Sequence, residues 1–135
     1  MIFVDTGYLL ALLNPRDELF QRAQRWGAAV HEPLLITEYV LCELVNTFSA
    51  PLDRPKAHAV IDEIRLSANW ELIYATPQLF SEGLSRHRAR PDKDWSLTDC
   101  ISFHLMEQRG LQQALAFDHH FEQAGFEALL RRDPP

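Results

Sequence analysis

Cysteines, positive charges and long apolar runs are all scarce in this chain of 135 residues. The only two cysteines, Cys42 and Cys100, form neither a CxxC pair nor a disulfide framework, so we expect two buried thiols in a reducing, intracellular compartment. No stretch approaches the roughly 20 apolar residues that a membrane span requires, and the first residues carry no basic segment before an apolar run. These absences lead us to expect a cytoplasmic protein with no membrane partner.

The charge balance is acidic, with a formal net charge of −6. Such a charge disfavours non-specific attraction to nucleic acid or to an anionic membrane, although it says little about a local site. Hydrophobic residues make up 47% of the chain and charged residues 24%, values that indicate a globular protein rather than a disordered one. Because no repeat, linker or low-complexity segment interrupts the sequence, residues 1–135 should form one domain.

Short apolar segments with strand character alternate with helical patterns along the chain. The predicted strands cover residues 1–4, 34–37, 70–75, 114–117 and, weakly, 126–130. The predicted helices cover residues 8–13, 18–30, 38–48, 55–67, 77–87 and 97–109. This alternation predicts an α/β domain with a mostly parallel sheet, and a helical hairpin between the second and third strands.

An aspartate directly follows two of the predicted strands. Asp5 comes after MIFV and Asp118 after ALAF, and a turn or helix follows each. Each aspartate could cap the following helix by accepting hydrogen bonds from free backbone N–H groups. Because the carboxyl ends of parallel strands meet at one edge of a sheet, both acids could instead stand at a ligand site.

A third acid, Glu43, falls on the apolar face of the helix predicted for residues 38–48. Thr37 can cap this helix, and Val40 and Leu44 recur on the face that includes Glu43. A carboxylate on a core-facing stripe is costly unless it is paired, hydrogen-bonded or bound to a metal. The simpler interpretation is a glutamate at the edge of the stripe that reaches water or an arginine.

A fourth acid, Asp99, lies at the start of the helix predicted within DKDWSLTDCISFHLM. Ser96 and Asp99 have the three-residue separation of a capping box, which by itself accounts for Asp99. A cap does not account for Asp92 and Asp94, which crowd close before it. Acids this close repel one another unless water or a cation neutralises them.

Considered together, the acids Asp5, Glu43, Asp99 and Asp118 can converge at the same edge of the sheet. Four carboxylates in one place require a cation. Mg²⁺ is the natural candidate, with Mn²⁺ as the alternative, because hard divalent ions prefer oxygen ligands. Zinc is less favoured, because no set of cysteines and histidines has the required spacing.

These segments resemble the PIN-domain ribonucleases, and most closely the VapC-type toxins of bacterial toxin–antitoxin pairs. The resemblance covers nearly the whole chain, through VDTGYLLALL, TEYVLCELVN, DKDWSLTDCISFHLM and ALAFDHHFEQAGF in that order. It implies a PIN-like three-layer α/β/α sandwich around a mostly parallel sheet, frequently in a homodimer. The implied activity is that of a Mg²⁺-dependent endoribonuclease, inhibited by a small antitoxin whose tail reaches the acidic groove.

The resemblance also implies roles for individual residues. The acidic quartet of the family falls on Asp5, Glu43, Asp99 and Asp118, with the hydroxyls of Thr6 and Ser96 as partners. Asp5 and Asp99 are then the expected metal ligands. Glu43 is expected to be a ligand or an acid that supports the ligands, and Asp118 is expected to act through water.

The chain departs from the family pattern at Ala116. Many relatives carry a threonine or serine there, whose hydroxyl could support the fourth acid.

The neighbouring pair His119 and His120 could carry protons, but histidines in a turn more often face solvent. The implied chemistry needs no covalent nucleophile, because a carboxylate-held Mg²⁺ can activate a water for in-line attack on a phosphodiester.

A local basic strip and one tryptophan could contact the RNA. The strip consists of Arg86, Arg88, Arg90 and Lys93 together with His87. It could guide phosphates toward the metal, although a solvated helix end with arginines near its C-terminus is the simpler interpretation. Trp95 could stack on an unpaired base, whereas Trp26 and Trp70 lie in apolar patterns typical of a core.

Two other classes of function can be weighed against the nuclease. A catalytically degenerate domain of the same fold would bind a partner without cutting RNA, and retention of all four acids argues against it. Receiver-like modules and haloacid-dehalogenase-like phosphatases also place an aspartate after the first strand. The receiver needs a lysine at a later strand end, whereas Lys56 and Lys93 lie in loop or helix contexts, and the phosphatase needs a DxD motif that DTG does not provide.

Overall fold

The computed structural model describes every residue from Met1 to Pro135. Five parallel strands form one sheet in the order β3-β2-β1-β4-β5. The strands are β1 (Ile2–Val4), β2 (Leu34–Thr37), β3 (Trp70–Ile73), β4 (Gln113–Leu115) and β5 (Glu127–Ala128). The helices are α1 (Thr6–Leu13), α2 (Phe20–Ala29), α3 (Glu38–Thr47), α4 (Arg54–Leu66), α5 (Pro77–Ala89), α6 (Leu97–Arg109) and α7 (His119–Gln123), and a 3-10 turn spans Leu129–Arg131.

The central strand β1 is apolar throughout because it is covered on both faces. Ile2, Phe3 and Val4 are all buried, as expected for a parallel sheet enclosed by helices on its two sides. Phe3 is paired in register with Leu35 of β2 on one side and with Ala114 of β4 on the other. The α/β/α architecture predicted from the sequence is confirmed, and the sheet is entirely rather than mostly parallel.

Side chains of the predicted capping residues start the helices that matter for the site. The Thr37 hydroxyl accepts a hydrogen bond from the Val40 N–H and starts α3. Ser96 and Asp99 form the complete capping box of α6, each side chain accepting from the other residue's backbone N–H. These caps begin both helices just outside the sheet, so α3 and α6 present their first turns at the carboxyl edge of the strands.

Helices α5 and α6 pack closely through a glycine. Gly83 is buried in α5, and a Cβ atom added there would lie 2.2 Å from Cγ1 of Ile101 in α6. Only a residue without a side chain therefore allows this approach.

No helix of the structure combines the length and apolar character needed to cross a membrane.

Element boundaries deviate modestly from the predicted ones. Helix α6 begins and ends as predicted, whereas α1 begins at Thr6 rather than at residue 8 and α2 covers only Phe20–Ala29. The third strand ends at Ile73, two residues earlier than predicted. Strand β4 ends at Leu115, so Asp118 does not directly follow the strand but comes after a short extended segment.

Two predictions about single side chains are wrong. Cys42 is exposed while Cys100 is buried, because α3 turns Leu41 and Leu44 toward the core and residue 42 falls on the adjacent outer face. Trp95 is buried at 5% exposure, so its ring cannot receive a base.

Aromatic contacts explain why the indole of Trp95 is hidden. It packs edge-to-face on Phe103 at 5.1 Å between ring centroids, and Nε1 donates a hydrogen bond to Gln123 at 3.0 Å. Trp26 is in the core as predicted, and Trp70 is half-buried against it.

Candidate active site at the carboxyl edge of the sheet

A cleft of about 710 Å³ opens at the carboxyl edge of the strands. All four acids predicted from the sequence line it, and so do Thr6 and Ser96. Two further acids, Asp17 and Asp94, stand on its wall. The full set of carboxylates is Asp5, Asp17, Glu43, Asp94, Asp99 and Asp118.

Asp5 lies between β1 and α1, where the chain turns from the sheet into the helix. Its backbone N–H donates to the carbonyl of Leu115 at 3.1 Å, which extends the pairing of β1 with β4 by one residue. Its side chain makes no helix-capping hydrogen bond. The carboxylate is therefore not engaged in the capping role that the sequence left open.

The pKa of Asp5 is raised from 3.8 to about 7. Burial is the main cause, because a desolvated carboxyl resists ionisation, and the nearby charge of Asp99 is the second. The nearby Thr6 backbone N–H lowers the pKa, while the charges of Glu43 and Asp118 raise it further. All four acids therefore share one cleft and interact electrostatically.

Glu43 is half-buried on α3 and is held by a hydroxyl from α1. The Thr6 hydroxyl donates a hydrogen bond to Glu43 Oε1 at 2.6 Å. Thr6 is itself buried, with 8% of its surface exposed. Burial raises the pKa of Glu43, and the charge of Asp99 adds to this, whereas the Thr6 hydrogen bond opposes it. This contact assigns Thr6 a definite structural partner and points the glutamate into the cleft.

Asp99 lies at the first turn of α6, and its side chain is 13% exposed. Its Oδ2 atom accepts the capping hydrogen bond from the Ser96 N–H at 3.1 Å. The same oxygen lies 3.1 Å from Nδ1 of His120. The capping box therefore does not exclude Asp99 from the site, because the cap also fixes the orientation of the carboxylate.

Asp118 is the most open of the four acids, with its side chain 42% exposed. Its Oδ1 atom accepts a hydrogen bond from the His120 N–H at 3.0 Å and so caps the short helix α7. The preceding Ala116 is fully buried and offers no hydroxyl. Backbone capping thus orients the fourth acid without a hydroxyl from residue 116.

The two adjacent histidines differ in position. His120 is 16% exposed at its side chain, and its Nδ1 lies 3.1 Å from Asp99 and 3.3 Å from Asp118. His119 is 61% exposed, with Nδ1 3.4 Å from Asp118. The expectation that both histidines face solvent is therefore wrong for His120, which connects two acids of the cleft.

Some cleft residues have no clear signal in the sequence. Asp17 sits in the loop after α1, and its Oδ1 accepts a hydrogen bond from the Leu19 N–H at 2.8 Å. Phe117 and Arg131 come from opposite ends of the last segment and also line the cleft. Their proximity depends on the return of the chain through β5, which the sequence predicts only weakly.

The basic strip lies outside the cleft. Arg90 pairs with Asp92 through two hydrogen bonds of 2.9 Å. Asp92 is therefore neutralised by Arg90, and it lies outside the cleft that holds the four acids. Arg86 pairs with Glu107. Arg88 is exposed and Lys93 half-exposed, which leaves these two as the more available cations of the strip.

The donor set of the cleft fits a hard divalent cation. Carboxylate oxygens predominate, no cysteine lines the cleft, and the only nitrogen donors are those of the two histidines. Asp118, His119 and His120 place ligand atoms within 4.8 Å of one another. Arg131 is the only lysine or arginine that reaches the cleft. The protein therefore supplies too little positive charge to neutralise the six carboxylates.

Comparison with known proteins places this chain in a family. A family model described as the PIN domain matches residues 2–127. Two curated relatives, from Mycobacterium tuberculosis strains CDC 1551 / Oshkosh and ATCC 25618 / H37Rv, are each named 23S rRNA-specific endonuclease VapC20. Each is 33% identical over 129 residues, which cover 93% of this chain and 95% of the relative.

Solved structures agree with the sequence comparison. The crystal structure of Mycobacterium tuberculosis VapC20, described as a sarcin–ricin loop cleaving toxin, superposes with a TM-score of 0.86 at 29% identity. The match covers 95% of this chain and 98% of the other. FitAcB from Neisseria gonorrhoeae has a TM-score of 0.63 at 18% identity, over 94% and 95% of the two chains, and supports the fold alone.

Proposed function

The chain belongs to the PIN-domain family and is a VapC-type ribonuclease, and from that premise we propose that it is the toxin of a toxin–antitoxin pair that hydrolyses RNA with Mg²⁺. The observation that supports this most directly is the convergence of Asp5, Glu43, Asp99 and Asp118 in one cleft. Burial and the neighbouring acids raise the pKa of Asp5 to about 7, and a bound cation would favour its ionised form at neutral pH.

PIN nucleases generally use divalent metal ions. In this chain we assign Asp5 and Asp99 as metal ligands, Glu43 as a ligand or as support for them, and Asp118 as a residue acting through water. Mg²⁺ is the expected ion and Mn²⁺ the alternative, because the donors are mainly carboxylate oxygens. The ion, when bound, would acidify a water molecule and stabilise the charge that develops on the phosphodiester.

The residues of the chain position these acids. The Thr6 hydroxyl holds Glu43, and the Ser96 N–H and hydroxyl hold Asp99 at the start of α6. His120 lies between Asp99 and Asp118 and restrains both carboxylates from the side of α7. Such supporting contacts fix the direction of the ligand oxygens before the ion arrives.

We take ribosomal RNA as the substrate class. The named relatives act on 23S rRNA, and the solved structure is described as cleaving the sarcin–ricin loop, so that loop is the first RNA to test. The basic strip of Arg86, Arg88, Arg90 and Lys93 can contact phosphates beyond the cleft, with Arg88 and Lys93 as its unpaired members. Activity on ribosomal RNA requires the protein to be cytoplasmic.

The cleft also suggests how the activity is inhibited. Six carboxylates and one arginine line it, so a peptide with arginine or lysine side chains would complement it electrostatically. We therefore propose that the tail of a cognate antitoxin enters the cleft and competes with the metal and the RNA. A homodimer is expected from the family pattern, and its mass in solution can be measured by light scattering.

The test is cleavage of total cellular RNA by purified protein with Mg²⁺, with Mn²⁺ or with EDTA. Metal-dependent cutting is expected, and Asp5→Asn and Asp99→Asn should each abolish it while remaining folded by circular dichroism. Asp62→Asn is the matched control, because Asp62 is an exposed acid on α4 outside the cleft. If antitoxin-free protein neither cuts RNA nor binds a divalent ion, the proposal fails in favour of the degenerate binding module.

A further inference from the structure

One wall of the cleft is formed by an aromatic ring instead of an acid. Phe117 follows β4, directly precedes Asp118, and is 42% exposed. It is the only phenylalanine, tyrosine or tryptophan that lines the cleft. The other exposed aromatic rings, Tyr74 and Phe80, lie elsewhere on the surface, and Trp95 is buried.

Arg131 holds this ring from one side. Its guanidinium carbon lies over the ring at 4.9 Å from the centroid, and Nη1 donates a hydrogen bond to the Phe117 carbonyl at 2.9 Å. Nε of Arg131 also pairs with Glu122 at 2.9 Å. The guanidinium therefore covers one face of Phe117, while part of the residue remains exposed to solvent.

Arg131 is also the only arginine or lysine that reaches the cleft. A polyanion entering a cleft lined by six carboxylates meets strong repulsion, so a cation fixed against Phe117 is the natural contact for a phosphate. Its ion pair with Glu122 is exposed, with side-chain exposures of 39% and 52%. Surface pairs of this kind are weak, and a phosphate can compete for the guanidinium.

We propose that Phe117 and Arg131 bind the nucleotide next to the scissile phosphate, with an unpaired base stacked on the ring and a phosphate contacted by the guanidinium. This inference rests on the proposed ribonuclease function and deepens it. A base inside a duplex is already stacked on both faces, whereas a base in a loop can be turned outward onto an aromatic side chain. The substrate class is therefore RNA that is unpaired at the cleavage site.

The first test measures RNA binding without cleavage. In an Asp99→Asn background, the probe is an RNA hairpin with the sarcin–ricin loop sequence and one 2-aminopurine in its loop. Stacking on an aromatic ring strengthens RNA binding by roughly 5- to 150-fold and quenches the fluorescence of the base. We expect Phe117→Leu to lose the quenching and to raise Kd by about 5-fold or more, and Phe117→Trp to retain both.

Two further variants separate stacking from general surface effects. Phe80→Leu removes a comparably exposed ring, at 45% exposure, away from the cleft, and should leave Kd unchanged. Arg131→Gln should weaken binding and reduce its salt dependence, because one phosphate contact is lost. Thermal unfolding of each variant distinguishes a lost contact from a lost fold.

A second measurement uses the active protein with hairpin and fully paired RNA as substrates. Phe117→Leu should raise KM for the hairpin more than it lowers kcat, and fully paired RNA should be a poor substrate of the unmodified chain. Equal Kd and KM for Phe117→Leu and the unmodified chain would overturn this inference while leaving the ribonuclease intact. No RNA binding by the unmodified chain would overturn both.

Discussion

Nδ1 of His120 lies 3.1 Å from Oδ2 of Asp99, which connects helix α7 to the first turn of α6. The same nitrogen is 3.3 Å from Oδ1 of Asp118. Two acids that are distant in the sequence thus share one imidazole. This contact restrains both carboxylates at the cleft and assigns His120 a positioning role that His119 does not have.

The contact of His120 predicts a defect in metal binding. Partners that orient metal ligands typically contribute 10- to 100-fold to affinity, so His120→Gln should weaken Mn²⁺ binding by roughly 10-fold. His119→Gln is the matched control, because His119 is 61% exposed and its Nδ1 pairs with Asp118 but with no second acid. Isothermal titration calorimetry of both variants gives the comparison, and equal affinities would refute the positioning role.

The raised pKa of Asp5 predicts how the stability of the metal-free protein depends on pH. Between its ordinary pKa of 3.8 and about 7 the folded protein keeps a proton on Asp5 that the unfolded chain has released. The free energy of unfolding therefore falls as pH rises through this range, and the full cost, on the order of a few kcal/mol, is present above pH 7.

Asp5→Asn removes this ionisation and should be more stable than the unmodified chain at pH 8 in EDTA. At pH 4 the two proteins should have similar stabilities, because Asp5 is largely protonated in the folded state and only partly ionised in the unfolded chain. Urea denaturation at a series of pH values measures the difference. An Asn variant with the same pH dependence as the unmodified chain would contradict the assignment.

The hydrogen bond from Thr6 to Glu43 predicts a change in the pH profile of cleavage. Thr6→Val keeps the shape of the side chain but removes the donor, so the pKa of Glu43 should rise further above its usual range. A hydrogen bond to a charged group contributes about 1.5–3 kcal/mol, so cleavage at acidic pH should fall by roughly 10-fold or more.

Thr6→Ser is the conservative control, because it retains the hydroxyl. Rates measured from pH 5 to 9 should show the acidic limb of the Val variant displaced to higher pH, with smaller loss at alkaline pH. A uniform loss of rate at every pH would instead indicate a change in the packing of α1 against α3.

The close approach of α5 and α6 predicts a marked effect of adding one methyl group. Gly83→Ala would place Cβ 2.2 Å from Ile101 Cγ1 and 3.3 Å from its Cα, so the helices must separate. Overpacking of this kind costs about 1–3 kcal/mol. Gly7→Ala, where nothing lies within 4 Å of the added atom, should be neutral or stabilising by up to about 1 kcal/mol. Thermal unfolding of the two variants provides the test.

The capping residues and apolar patterns predicted much of the fold because they act over a few neighbours. Thr37 and the Ser96–Asp99 pair start their helices as predicted, and the alternation of strands and helices indicated the parallel sheet. Errors occurred where burial depends on distant packing. Cys42 faces solvent because α3 turns Leu41 and Leu44 inward, and Trp95 is hidden by Phe103 and Gln123.

The sequence by itself determined which acids could meet, because Asp5 follows a strand end and Glu43 and Asp99 lie on helices that begin near the same edge of the parallel sheet. Only the tertiary structure decided what surrounds them. The approach of Thr6 to Glu43, of His120 to Asp99 and of Arg131 to Phe117 depends on contacts between separate elements. Local propensities act within a few residues, whereas side-chain partners across elements are set by how the helices and the last strand pack on the sheet.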